Sequence, residues 1–190
     1  MNKVGDKRRD IIAVGGSAGA LEALEALLTR LPAELPATVL VVLHRPTERA
    51  SFLAEILRRR TRIRVTVAHD GERLEHGTCY LGEPESHLTI GPGPIVRLLA
   101  DSFYRAHNID ALFQSLAQYA GPRVIGVILS GMLKDGTLGL VAIKEAGGLA
   151  MVQSPMKPCL KTCREMQSHA TARLISSARW MPSPKRSAAR

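Results

Sequence analysis

Residues 11–43 read IIAVGGSAGALEALEALLTRLPAELPATVLVVL and contain the repeating unit of the fold. The first five residues form an apolar run that ends in glycine, which is typical of a strand buried on both faces. Leucines then recur at helical spacing through residues 18–31, and Pro32 follows the end of that helix. Residues 38–43 are a second apolar run. This order predicts two parallel strands joined by a crossover helix.

The same alternation continues to residue 152. It predicts helices at 46–60, 109–120 and 136–146, and strands at 63–67, 123–129 and 149–152. In the helix at 46–60, four apolar residues are expected on the buried face: Phe52, Leu53, Ile56 and Leu57. Asn108 precedes the helix at 109–120 and is expected to cap it.

A group of short strands interrupts the alternation. Glycines and prolines separate residues 78–81, 86–90 and 95–98, a pattern that favours antiparallel strands. The sequence therefore predicts an α/β fold: a doubly wound, mostly parallel sheet with helices on both faces and an antiparallel hairpin excursion near residues 78–98.

Composition limits the class of protein. The chain has 190 residues, 45 % hydrophobic and 23 % charged, which suits one globular domain. An odd number of cysteines argues against a disulfide framework and favours a reducing compartment: Cys79, Cys159 and Cys163. No apolar run is long enough to span a membrane, and residues 1–10 form a charged N-terminal tail without a signal-peptide core. We therefore expect a cytoplasmic protein that does not insert into membranes.

The positive charge is concentrated near the end of the chain. Residues 156–190 contain eight Lys or Arg residues and one acid, so they carry +7 of the net charge of +9. Residues 1–155 are nearly neutral, and aromatic residues make up 4 % of the chain, which argues against a nucleic-acid partner. A basic cluster at residues 58–64 is interpreted as a solvated helix end, with a binding surface as the alternative.

The turn after the first strand, GGSAG at residues 15–19, carries the first candidate site residue, Ser17. The spacing matches neither a dinucleotide-binding loop nor a Walker loop. Small neighbours can expose a serine hydroxyl on such a turn, and the following helix N-terminus offers N–H groups to an oxyanion. Ser17 is therefore a candidate nucleophile, with a simple helix cap as the alternative.

Two further polar residues follow predicted strands. His44 comes after the second strand, and Asp135 comes after the strand at 123–129. Each has a structural interpretation, as a buried histidine or as a turn or cap residue. Because the carboxyl ends of parallel strands meet at one edge of a sheet, all three residues can instead form a Ser–His–Asp triad. Their order along the chain differs from that of the α/β-hydrolases.

Five stretches carry a resemblance to a known family: residues 12–19, 42–46, 70–72, 108–113 and 126–136. They read IAVGGSAG, VLHRP, DGE, NIDALF and GVILSGMLKDG. In this order they resemble the catalytic domain of the chemotaxis protein-glutamate methylesterase, CheB, over about residues 10–155.

The resemblance implies a function and roles for named residues. It implies hydrolysis of γ-glutamyl methyl esters on the cytoplasmic domain of bacterial chemoreceptors, with deamidation of receptor glutamines as a further activity. Ser17 would be the nucleophile, His44 the general base and acid, and Asp135 the carboxylate that orients His44. The backbone N–H of Met132 would bind the oxyanion. No metal or cofactor is implied.

The match also departs from the family. It begins near residue 10, so we expect residues 11–155 to be the catalytic domain without the family's receiver domain, and a separate receiver protein is a candidate partner. Ala18 stands where the family often has Thr, and Ala20 where it often has Gly, which implies slower or altered catalysis. A catalytically impaired or dead copy that still binds receptor therefore stays open as the alternative function.

The segment 156–190 has no helical or strand periodicity. If one nucleotide is lost in the codon of Pro155, compatible codons for residues 156–169 can be read in the displaced frame as DEALFEDMPRNAIA, a family-like continuation. We therefore interpret this basic segment as frame-shifted and poorly ordered, with a genuine basic tail as the alternative.

Overall fold

Eight strands and four helices lie within the residues that the structure, a computed structural model, describes: 8–44, 50–99, 107–129 and 135–153. The strands are β1 (Ile11–Ser17), β2 (Thr38–His44), β3 (Arg64–Val67), β4 (Thr78–Leu81), β5 (His87–Gly91), β6 (Ile95–Leu99), β7 (Val124–Ile128) and β8 (Leu149–Val152). The helices are α1 (Leu21–Leu28), α2 (Ala50–Arg60), α3 (Asn108–Tyr119) and α4 (Thr137–Glu145). A 3-10 turn, Ala18–Ala20, joins β1 to α1.

The main sheet has six parallel strands in the order β3-β4-β2-β1-β7-β8. The central strand β1 comes first along the chain. The next strands in this sheet lie on the β2 side of β1, and β7 and β8 lie on its other side. Such a reversal leaves a crevice at the carboxyl ends of the central strands, where ligands bind in open α/β sheets. The predicted fold class is confirmed.

Helices cover both faces of the sheet. On one face, Leu24 of α1 and Leu57 of α2 pack against β-strand residues such as Val14. On the other face, Phe113 of α3 and Ile143 of α4 pack in a second core. Alternate residues of a strand point to opposite faces, so β1 contributes to both cores. The odd-numbered residues of β1 therefore point towards α3 and α4.

The antiparallel excursion is a two-stranded hairpin. Its strands β5 and β6 pair with each other and form a second, two-stranded sheet. Residues 78–81, which we expected in the excursion, instead form β4 of the main sheet, parallel to β2 and β3. All four residues of β4 are buried, as in other two-sided strands. Its assignment to the excursion was wrong because sequence neighbourhood does not show which strand a short segment pairs with.

The buried face of α2 differs from the predicted one. Leu53, Ala54 and Leu57 are buried, whereas Phe52 is 66 % exposed and Ile56 is 37 % exposed. These three residues belong to the core on one face of the sheet, so that side of the helix packs inward. The prediction that Phe52 lies on the buried face was wrong, because it rested only on the size and hydrophobicity of the side chain.

The arginines at the end of α2 have partners within the protein. Arg59 forms an ion pair with Glu55, and Arg60 Nη1 lies 2.7 Å from Glu25 Oε2. Arg58 Nε donates a hydrogen bond to a backbone carbonyl of β3. These contacts agree with the interpretation of this cluster as a helix end.

Several predictions concern residues outside the described ranges: most of the N-terminal tail, Met132 and the basic segment 156–190. Of that tail, Asp10 is described, and its carboxylate accepts hydrogen bonds from Arg123 Nε and Nη2 at 2.8 and 2.7 Å. Within the described part of the chain, none of the helices has the length and apolar character needed to cross a membrane.

Candidate active site

Ser17 and His44 are the last residues of neighbouring parallel strands, β1 and β2, and they are register partners. Paired strands lie about 4.8 Å apart. Counting alternate residues from the core positions Ala13 and Leu40, both side chains point to the face that α3 covers. The two residues therefore lie side by side at the carboxyl edge of the sheet.

Two glycines before Ser17 let other elements approach the end of β1. A Cβ at Gly15 would lie 2.3 Å from Ile109 Cγ2, and a Cβ at Gly16 would lie 2.7 Å from Ala20 Cβ. The first contact belongs to the start of α3, and the second to the turn into α1. Glycine at position 15 thus allows the N-terminus of α3 to approach the end of β1, and glycine at position 16 leaves room for the turn into α1.

The side chain of Ser17 does not cap the helical turn that follows it. Ser17 has extended backbone dihedral angles of −95° and 178°, and no side-chain capping hydrogen bond joins it to the turn. The side chain is half-buried. The helix-cap interpretation of Ser17 is therefore wrong, and the candidate nucleophile remains.

His44 and Asp135 form a short hydrogen bond. The Nε2 atom of His44 lies 2.7 Å from Asp135 Oδ2. The His44 side chain is 20 % exposed and that of Asp135 is 2 % exposed. Because an ionised carboxylate only accepts hydrogen bonds, this contact places a proton on Nε2.

Asp135 also caps α3 from a distance in sequence. Its Oδ2 accepts the backbone N–H of Ile109, and its Oδ1 accepts that of Asp110, both at 2.9 Å. Asn108, which we expected to be the cap, is instead the first helical residue, and its buried Oδ1 has no hydrogen-bond partner in the described part of the chain. The prediction was wrong because a carboxylate brought in by the fold occupies the capping position.

The pKa of Asp135 lies below its ordinary value. Burial acts to raise this pKa and is the largest single influence, but the hydrogen bond from His44 and the two backbone N–H groups together outweigh it. All these donors favour the charged carboxylate. Asp135 therefore stays ionised at neutral pH, at the positive end of the α3 dipole.

This lowered pKa predicts a pH-dependent stability. A carboxyl group whose pKa is lower in the folded state stabilises the fold above its unfolded pKa of about 3.9, and that contribution is lost as the pH falls through the folded pKa. We expect the difference in unfolding free energy between wild type and Asp135→Ala to shrink as the pH falls below about 4. Urea unfolding of both proteins measures it. A difference that does not change with pH would contradict the prediction.

One group of possible metal ligands occurs among the described residues: His107, Asp110 and Asp135. Three of the four carboxylate oxygens in this group already accept backbone N–H hydrogen bonds. His107 is an exposed side chain at the edge of the group. These carboxylates therefore act as helix caps, and the group gives no basis for proposing an ion.

The structure brings Ser17, His44 and Asp135 to one edge of the sheet, while Met132 lies outside the described residues. Asp110 also belongs to this hydrogen-bond network, and sequence analysis did not select it. Its sequence signal was the stretch NIDALF, in which an acidic residue lies among apolar ones at the start of a helix.

Comparisons with known proteins show what this chain is similar to. The family model described as CheB methylesterase matches residues 12–182. A protein of Rhizobium etli named protein-glutamate methylesterase/protein-glutamine glutaminase is 40 % identical over 160 residues, which cover 82 % of this chain and 44 % of that protein. A Pseudomonas aeruginosa protein of the same name, numbered 2, is 38 % identical over 148 residues, covering 75 % and 42 %.

A solved structure is similar as well. The crystal structure of the Thermotoga maritima CheB methylesterase catalytic domain matches with a TM-score of 0.70 and 30 % identity, and the match covers 74 % of this chain and 77 % of that one. This chain spans less than half the length of the two curated relatives. The family model covers most of the chain, and the solved catalytic domain has the same sheet architecture. The chain belongs to the CheB methylesterase family.

Proposed function

We propose that this protein hydrolyses γ-glutamyl methyl esters by serine catalysis, with Ser17 as the nucleophile. The observation that supports this most is the 2.7 Å contact between His44 Nε2 and Asp135 Oδ2, with Ser17 as the register neighbour of His44. Nucleophile, base and orienting carboxylate then follow one another at a single edge of the sheet.

The hydrogen bond to Asp135 defines which imidazole nitrogen accepts the proton. Nε2 carries a hydrogen towards the carboxylate, so a neutral His44 has its lone pair on Nδ1. Nδ1 is therefore the atom that would take the proton of Ser17. Asp135 need not change its protonation state, because its role is to hold this tautomer and to stabilise the imidazolium.

The proposed reaction has two halves. The Ser17 Oγ attacks the ester carbonyl carbon while its proton moves to His44 Nδ1, and an oxyanion forms. The carbonyl re-forms, the bond to the methoxy oxygen breaks, and the proton on Nδ1 leaves with it as methanol. Water then attacks the acyl-enzyme and gives one proton to Nδ1. The bond to Ser17 breaks, this proton restores the Ser17 hydroxyl, and the glutamic acid that forms loses its proton to solvent and leaves as the carboxylate.

The remaining groups are assigned by the family resemblance. We propose the backbone N–H of Met132 as an oxyanion donor. The substrate is the cytoplasmic domain of a methylated chemoreceptor, the place of action is the cytoplasm, and a separate receiver protein is a candidate regulator. Deamidation of receptor glutamines would use the same acyl-enzyme, with ammonia as the leaving group. None of these steps requires a metal or cofactor.

Methanol release tests the function directly. A receptor cytoplasmic fragment carrying isotope-labelled methyl esters is incubated with the protein, and volatile label is measured against time. We expect release from the methylated fragment and none from an unmethylated one. Binding of the fragment without release of label would contradict the proposed hydrolysis and favour the alternative, a copy that binds receptor but is catalytically dead.

The segment after Pro155 bears on whether the protein is active. We propose that residues 156–190 are frame-shifted, so the positive charge there is a consequence of the displaced frame and not a binding surface. The family model extends past this point, to residue 182, so the nucleotide sequence of the gene has to decide between a displaced frame and a genuine segment. We expect the nucleotides after codon 155 to encode a family-like sequence in a displaced frame. If they do not, the segment is a genuine basic tail.

A further inference from the structure

A second buried carboxylate, Asp110, lies in the first turn of α3 and is 5 % exposed. Its backbone N–H donates to Asp135 Oδ1, as described above. Its own Oδ1 accepts the backbone N–H of Gly139 at 2.6 Å. Gly139 is the third residue of α4, the helix that begins just after Asp135. Asp135, which precedes α4, therefore caps α3, and Asp110, which lies in α3, caps α4.

These contacts replace local caps at both helices. The first N–H groups of a helix have no acceptor within the helix itself. His107, which precedes α3, makes no side-chain capping bond, and Gly136, which precedes α4, has no side chain to offer. Asp110 and Asp135 supply acceptors for three of these N–H groups. The starts of α3 and α4 are thus held to each other.

Close packing of the two helices makes this exchange geometrically feasible. A Cβ at Gly139 would lie 2.4 Å from Phe113 Cβ and 3.2 Å from Asp110 Oδ1, so only glycine lets this N–H approach so closely. Between Asp135 and α4, Gly136 has a φ of +92°, a conformation that favours glycine. One residue of tight turn therefore separates Asp135 from the helix start that Asp110 holds.

We propose that Asp110 is a positioning residue for the His44–Asp135 pair. By holding the start of α4, Asp110 determines where Asp135 lies relative to α3, and so where Asp135 Oδ2 meets His44 Nε2. Asp110 acts through these backbone contacts and not on the substrate. The inference rests on the proposed serine chemistry, and its test includes a readout that does not depend on the identity of the substrate.

The test compares three substitutions at this position. Asp110→Ala removes the acceptor for Gly139, and we expect labelling of Ser17 by a serine-directed phosphonate to slow about 10- to 100-fold, because small displacements of catalytic groups have effects of this size. Asp110→Asn keeps an oxygen there, and its rate is expected within about threefold of wild type. Asp110→Glu keeps the charge but moves it by one methylene, so a loss of about fivefold or more is expected. With methylated receptor, kcat should fall while KM stays within about twofold.

A spectroscopic readout separates positioning from general destabilisation. The proton on His44 Nε2, held against Asp135, is expected to give a low-field resonance in the NMR spectrum of wild type and of Asp110→Asn, and to lose it in Asp110→Ala. This readout needs no substrate. If wild type does not release methanol, the proposed activity is contradicted, but the resonance still shows whether Asp110 positions the His44–Asp135 pair.

Thr38→Val is the matched control. Thr38 is 2 % exposed, and its Oγ1 donates a hydrogen bond of 2.8 Å to the Glu75 carbonyl at the opposite, amino edge of the sheet. This variant also loses one buried hydrogen bond, but its labelling rate per folded molecule should equal that of wild type. If Asp110→Ala is folded and labels as fast as Thr38→Val, or if Asp110→Asn is as slow as Asp110→Ala, the inference is wrong. If Asp110→Ala does not fold, a wild-type rate and resonance in folded Asp110→Glu would overturn it.

Discussion

Replacing Ser17 by alanine is expected to lower the rate of methanol release from a methylated receptor by about 10⁴-fold or more. The reason is that the attacking oxygen is removed, while His44 and Asp135 keep their contact. The substitution removes one hydroxyl from a half-buried side chain, so the unfolding free energy should change by no more than about 1.5 kcal/mol, the net contribution of one hydrogen bond. Methanol release and urea unfolding are measured on the same preparation.

Ser115→Ala is the control for this prediction. The Ser115 Oγ accepts the Ile90 N–H and donates to the Leu112 carbonyl, so this serine has a structural role within α3. Its removal should lower stability and leave kcat near the wild-type value. If Ser17→Ala keeps more than about a tenth of the activity, or is labelled by a serine-directed phosphonate at the wild-type rate, another nucleophile performs the reaction.

Asp135→Asn is expected to lower both activity and stability. Two arrangements of the asparagine are available, and neither reproduces the carboxylate. If its oxygen takes the place of Oδ2, its NH₂ group faces the Asp110 N–H, and two donors oppose each other. If the NH₂ group takes that place instead, it faces both the Ile109 N–H and His44 Nε2, which would then have to present its lone pair. In the second arrangement His44 carries its proton on Nδ1, so this atom cannot accept the proton of Ser17.

The expected size follows from these two defects. In the second arrangement the wrong imidazole tautomer lowers kcat by about 10⁴-fold, whereas the first keeps the tautomer and loses only the carboxylate charge that stabilises the imidazolium. In either arrangement an unpaired buried donor lowers the unfolding free energy by about 1–3 kcal/mol. Asp70→Asn is the matched control, because Asp70 Oδ1 also accepts a backbone N–H, that of Leu98 in β6. It should keep kcat. An Asp135→Asn protein with wild-type kcat would show that this carboxylate does not orient the base.

The position of the site within the fold could be read from local pattern. Apolar runs that end in Gly15 and Leu43 predict buried strands, and buried parallel strands place their carboxyl ends at one edge. Period-two alternation then brings Ser17 and His44 to the same face. These steps need only the geometry of one strand and its neighbour, which is why the sequence suffices for them.

Other features depend on partners that are distant in the chain. The place of β4 between β2 and β3 is decided by which strands pair, and all four of its residues are buried there. The exposure of Phe52 is decided by which side of α2 faces the sheet. Local periodicity determines neither the pairing of β4 nor the buried side of α2. A periodic pattern shows that an element has an apolar face, but it does not show which element packs against that face.

The hydrogen bonds of the candidate triad belong to this second kind. The residue types at 17, 44 and 135 and the parallel strands they follow are properties of the sequence, and they limit the chemistry to a serine, a histidine and a carboxylate. That Asp135 caps α3 in place of Asn108, and that Asp110 caps α4 in return, arises only when two helices pack through Gly139. Capping bonds between residues more than 20 positions apart depend on tertiary packing, so the tertiary structure alone decides how the carboxylate is held against His44.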